Sequence, residues 1–94
     1  MPAPLILAID ARDKELFDQL LQHGADFNSK DRDGWSALQF AAEINQVEFC
    51  KKLLEGGADP NYECKGQTAL DLAFVNGQME AVSLLRPITK KTLE

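Results

Sequence analysis

The chain has 94 residues, 45% of them apolar and 27% charged, the composition of one ordinary globular domain over residues 1–94 and not of a disordered tail or a disulfide scaffold. Its longest apolar run starts at Leu5 and stops at Asp10, far short of the roughly 20 residues that cross a bilayer, and no basic stretch precedes it as in a secretory signal, so a non-secreted cytoplasmic or nuclear protein without membrane contact is expected. Ten Lys+Arg against 15 Asp+Glu give a net charge of −5, which repels phosphate backbones and disfavours nucleic acid as a partner.

In chain order, Pro4 suits the first position of a helix, where its missing N–H is not needed. Leu5, Leu7 and Ala8 form the apolar stripe of that helix, and Leu16, Phe17, Leu20 and Leu21 form the stripe of the next. A polar link over 26–35 leads to Ser36, a hydroxyl N-cap for a helix running from Ala37 to Ile44. Asn45-Gln46 breaks it. Val47, Cys50, Leu53 and Leu54 then recur at helical spacing, and Gly56-Gly57 ends the fourth helix, glycine accepting the left-handed conformation at no steric cost. After a second polar link over 59–67, Thr68 caps a helix stabilised through Leu70, Leu72 and Ala73. Asn76-Gly77 turns the chain, Met79, Val82 and Leu85 form the last stripe, and Pro87 stops it.

These elements repeat. Leu20-Leu21-Gln22-His23-Gly24-Ala25-Asp26-Phe27-Asn28 returns as Leu53-Leu54-Glu55-Gly56-Gly57-Ala58-Asp59-Pro60-Asn61, 33 residues on. Asp33-Gly34-Trp35-Ser36-Ala37-Leu38 returns as Lys65-Gly66-Gln67-Thr68-Ala69-Leu70, 32 residues on. The third copy, from Met79 to Leu85, lacks the closing Gly-Ala-Asp and reads as a C-terminal cap. The units are about 3–33, 34–65 and 66–87, followed by a polar tail over 88–94 whose Leu93-Glu94 ending has the form of a cloning scar. A two-helix unit of this size cannot cover its own apolar face. Stacking neighbours solves that problem and predicts an all-α solenoid with hairpin-like finger loops. Ala8, Ala41, Ala42 and Ala73 would let neighbouring first helices approach.

The repeated residues resemble the ankyrin repeat, D-x-x-G-x-T-P-L-H-x-A-A followed by V-x-x-L-L-x-x-G-A-D-x-N. Gly34, Leu38, Ala41, Ala42, Leu53, Leu54, Gly57, Ala58, Asp59 and Asn61 carry the match in the second unit. Gly24, Ala25, Asp26 and Asn28 carry it in the first, and Gly66, Thr68, Leu70, Ala73, Gly77 and Leu85 in the third. The resemblance implies a protein-interaction module: an adaptor, scaffold or inhibitor without enzymatic activity or cofactor. The T-P-L-H turn stands here as Ser36-Ala37-Leu38-Gln39 and Thr68-Ala69-Leu70-Asp71. The family's histidine ties loop to helix, so Gln39 and Asp71 in its place predict looser fingers. In the family, asparagines at the positions of Asn28 and Asn61 can be hydroxylated in animal cells.

The chain holds little that could perform chemistry. Two cysteines and one histidine cannot supply the roughly four ligands of a zinc site. Gly56-Gly57 does not form a phosphate loop. His23 reads as a surface residue at a helix end, and Cys50 as a small core residue. Cys64, beside Lys65, is expected to be exposed, with weak grounds for reactivity. Asp10/Asp13 and Asp31/Asp33 read as solvated turn charges, whereas Asp26 and Asp59 are expected to accept hydrogen bonds from turn amides.

Trp35 is the most informative residue. It sits where the family varies and points outward, and tryptophan is enriched at binding hot spots. It either anchors a partner or folds down on Phe27 or Tyr62. The resemblance places Arg32, Asp33, Glu43, Ile44, Lys65, Gln67, Val75 and Asn76 at the other variable positions, with exposed Ile44 and Val75 beside Trp35 forming a small apolar patch. The expected partner is another protein with a basic surface. The alternative is a fragment of a larger array or a self-associating stack, so that the chain is a monomer or associates weakly with itself.

Overall fold

The computed structural model describes residues 4–90. Met1, Pro2, Ala3 and the four residues 91–94, including the Leu93-Glu94 ending, lie outside the described residues. Six α-helices form, and among the described residues no extended strand is present, only two isolated antiparallel bridges, Lys30 with Ser36 and Cys64 with Gln67. The helices are α1 (Pro4–Asp10), α2 (Lys14–Gln22), α3 (Ala37–Glu43), α4 (Val47–Glu55), α5 (Ala69–Val75) and α6 (Met79–Leu85).

Local chemistry explains each boundary. Ser36 and Thr68 cap α3 and α5 with complete capping boxes, each hydroxyl accepting from the amide three residues on while Gln39 or Asp71 accepts from the cap amide. Asp13 caps α2 by accepting from the Leu16 amide at 3.0 Å. The turns within the three hairpins place Arg12, Asn45 and Gly77 at positive φ of 56°, 60° and 70°. These are equivalent positions in the 33- and 32-residue register, so one backbone turn is built three times.

The hairpins stack into two rows. α3 packs against α1 on one side and α5 on the other, and α4 packs against α6. The assembly is elongated, 38 × 24 × 21 Å. Alanines at 8, 41, 42 and 73 are fully buried between the inner helices, as close approach requires. In the outer row, Phe17 and Phe49 meet with ring centroids 4.7 Å apart and planes tilted by 57°, a favourable aromatic geometry. Lys52 reaches across from α4 to Asp18 of α2 at 2.7 Å.

Three apolar residues assigned to stripes lie outside the core: Leu7 is 50%, Leu16 40% and Met79 61% exposed. All three belong to the first and third hairpins, which pack against a described hairpin on one side only. The C-terminal segment departs from a plain polar tail, since Thr89 is buried and the Lys90 amide donates to Asn61 Oδ1 at 2.7 Å.

The two glycines that end α4 do different work. Gly57 adopts φ +103°, the left-handed turn expected of a helix end. Gly56 has an ordinary φ of −82°, yet a Cβ there would lie 1.7 Å from Cε1 of Phe27. The Phe27 ring lies on the bare backbone of the next hairpin. Gly56→Ala is therefore expected to displace Phe27 and cost about 1–3 kcal/mol in urea unfolding, the range for overpacking. Gly56→Ala combined with Phe27→Ala should lose less than the two single changes added together.

Candidate partner-binding surface

The second finger is tied to α3 even without the family's histidine. Gln39 is 1% exposed and serves both sides of the joint. Its Oε1 accepts from the Ser36 amide at 2.8 Å, and its Nε2 donates to Gln67 O at 2.7 Å and to Tyr62 O at 3.4 Å. An amide has both a donor and an acceptor, so glutamine ties its own helix cap to the following finger. Asp59 and Asp26 accept from the Asn61 and Asn28 amides at 2.9 and 2.8 Å, the Asx turns read from the sequence. Asn28 then accepts from the Asp59 amide at 2.9 Å, and Asn61 from Lys90, so both asparagines join one unit to the next. The hydroxyl of Tyr62 donates to Gly34 O at 2.7 Å.

Cys64 is buried at 8% exposure, contrary to the exposed position expected, because the two fingers pack side by side. Its Sγ lies 3.4 Å from Asp33 O and would be 3.5 Å from a Cβ at Gly34. Cys50 is fully enclosed, and burial pushes its thiol from 9.0 up to about 12. Neither is an accessible nucleophile. Between pH 9 and about 12 the unfolded chain loses the Cys50 proton while the folded chain retains it. Stability from this residue is complete below pH 9 and falls as the pH rises through that window. Urea titrations at about pH 8 and 10.5 should show the wild type losing about 2 kcal/mol relative to Cys50→Ala across the interval.

Both aromatics suggested as neighbours of Trp35 have other partners. Phe27 covers Gly56, and Tyr62 carries the Lys30 ammonium 4.5 Å from its ring centroid. Trp35 is half-buried and lines a cleft of about 290 Å³ with Asp31, Gln39, Phe40, Glu43 and Leu72. Asp31 Oδ1 fixes its approach, accepting from the Trp35 and Asp33 amides at 3.0 and 2.9 Å. From the second finger, Lys65 Nζ stands 5.7 Å from the indole centroid, within cation–π range.

Of the residues read as variable, Trp35 and Glu43 line the cleft. Arg32, Asp33 and Lys65 are exposed on the finger tips. Gln67 is half-buried, its backbone pairing with Cys64 and accepting from Gln39. Ile44 is not an exposed patch residue: it is half-buried and packs on the core as the C-cap of α3. Val75 is 70% exposed but does not line the cleft, and Asn76 donates from Nδ2 to Leu72 O at 2.7 Å. Phe40 and Leu72 supply the apolar wall instead. They share one register position with Leu7 on the inner helices, and the phenylalanine among leucines is the signal that could have identified it.

The model of ankyrin repeats in three copies matches residues 5–92. The chain belongs to the ankyrin repeat family. An ankyrin repeat protein of fowlpox virus is 34% identical over 86 residues, covering 87% of this chain and 14% of that protein. Ankyrin repeat protein nuc-2 of Neurospora crassa is 35% identical over 88 residues, 92% of this chain and 8% of that protein. The human mitochondrial disaggregase is 42% identical over 59 residues, 63% of this chain and 8% of that protein. The chain thus spans a small part of the length of these relatives. Ankyrin repeats are generally protein–protein interaction modules and typically non-enzymatic. No described helix is long and apolar enough to cross a membrane.

Proposed function

We propose that the chain is a non-enzymatic docking module, an adaptor, scaffold or inhibitor that binds a basic protein surface on its finger tips and inner-helix face. The supporting observation is the cleft where Trp35 and Phe40 stand beside Asp31 and Glu43 on a hydrogen-bonded scaffold. A rigid surface loses little entropy on association. Three hairpins offer roughly 800 Å² to a partner, enough for a standard interface. Trp35→Ala should weaken partner capture by about 2 kcal/mol or more, while Lys51→Ala on the outer row leaves it unchanged. Equal recovery with Trp35→Ala would contradict this reading.

One observation favours a second reading, in which a further repeat or another copy stacks on the third hairpin. Ile9, Ala42 and Phe74 occupy the same position in α1, α3 and α5. The first two are fully buried by the next hairpin, whereas Phe74 is 50% exposed. Sedimentation from micromolar to millimolar concentration tests self-association, and a monomer throughout would refute it.

A further inference from the structure

We propose that the Trp35 cleft receives one arginine side chain projecting from a basic segment of the partner protein, an inference that rests on the docking reading above. The cleft's volume of about 290 Å³ lies at the lower edge of small-molecule pockets. It has room for one long side chain. Its walls combine an indole and a phenyl ring with two carboxylates, Asp31 and Glu43. A neutral apolar side chain would satisfy the rings and leave the carboxylates desolvated, and a phosphate or carboxylate would be repelled by them. A cation satisfies both.

The charge on the inner-helix side of the cleft has the same sign. The inner helices α1, α3 and α5 carry Asp10, Glu43 and Asp71 and no lysine or arginine. Neither Glu43 nor Asp31 forms an ion pair with any described residue. The indole already draws one ammonium, that of Lys65, from the finger tip. Arginine fits better than lysine because its planar guanidinium stacks on an aromatic ring while its edge forks onto a carboxylate.

The test uses the whole 94-residue chain and a blocked pentapeptide with a single arginine among glycines. Emission of Trp35, the one tryptophan, and amide NMR shifts report binding. The arginine peptide should give saturable shifts at the Trp35 indole and the Gln39 side chain. Its citrulline counterpart, isosteric but neutral, should bind roughly tenfold more weakly, the loss expected with one charge-assisted hydrogen bond. A lysine peptide should fall between them. Glu43→Gln should weaken the arginine peptide by a similar factor with an unchanged melting temperature, since Glu43 is exposed. Equal binding of arginine and citrulline, shifts mapping to the outer helices, no saturable shift, or indifference to Glu43→Gln would each overturn the proposal. A natural partner lost on Trp35→Ala but retained on Glu43→Gln would preserve docking and remove the arginine. A partner retained on Trp35→Ala would remove the docking reading itself.

Discussion

Phe17→Ala is expected to lower the unfolding free energy by about 3–5 kcal/mol, the range for deleting a buried phenyl ring. Phe17 is fully enclosed, and its ring meets Phe49 across the junction of the first two hairpins. The change removes packing from both sides of an interface between units that are not stable singly, so the loss spreads beyond the first hairpin. Small domains have only about 5–15 kcal/mol of net stability, making this a large fraction. Leu16→Ala, one residue earlier and 40% exposed, should cost less than about 1 kcal/mol. Urea unfolding of the two variants measures the contrast. Equal losses would mean that the outer-row junction is not packed as described.

Gln39→Ala should cost about 2–4 kcal/mol and selectively loosen the second finger. Removing the amide strands the buried Ser36 N–H, held at 2.8 Å, and takes from the Gln67 carbonyl its 2.7 Å donor, leaving it the Cys64 amide alone. Unpaired buried groups cost more than the net value of the bonds themselves. The Cys64–Gln67 bridge, with paired hydrogen bonds of 3.0 Å each, depends on that anchor. Hydrogen exchange should accelerate at the Cys64 and Gln67 amides more than at Asp31, whose amide donates to Trp35 O within the first finger. A uniform acceleration would show a global loss of stability instead of a broken joint.

The features legible in the sequence were those encoded within a few residues or by the repeat register. Ser36 and Thr68 are capping residues by local chemistry, Gly57 and Gly77 mark left-handed turns, and Asp26 and Asp59 form Asx turns. The stacked helical fold follows because matching residues recur at offsets of 33 and 32. What escaped depends on contacts between units. Gly56 is required by Phe27, 29 positions earlier. Cys64 is buried because Asp33 and Gly34 of the preceding finger lie against it. Leu7 and Met79 follow the helical pattern but stand in the first and third hairpins, and periodicity along a helix does not encode which of its faces another hairpin covers. At the candidate site, Trp35 and Glu43 were legible as outward positions. Phe40 and Leu72 were not, because the apolar wall of the cleft reads as ordinary core pattern along each helix.

Docking of the partner on the inner-helix and finger face is tested by a photo-activated cross-linking residue placed at Val75, which is 70% exposed on α5 and outside the cleft, and separately at Lys51 on the outer row, in the native host. A cross-linked partner is expected from position 75, lost when Trp35→Ala is added, with no comparable product from position 51. Cross-links from position 51 alone, or a position-75 product indifferent to Trp35→Ala, would refute docking on this face.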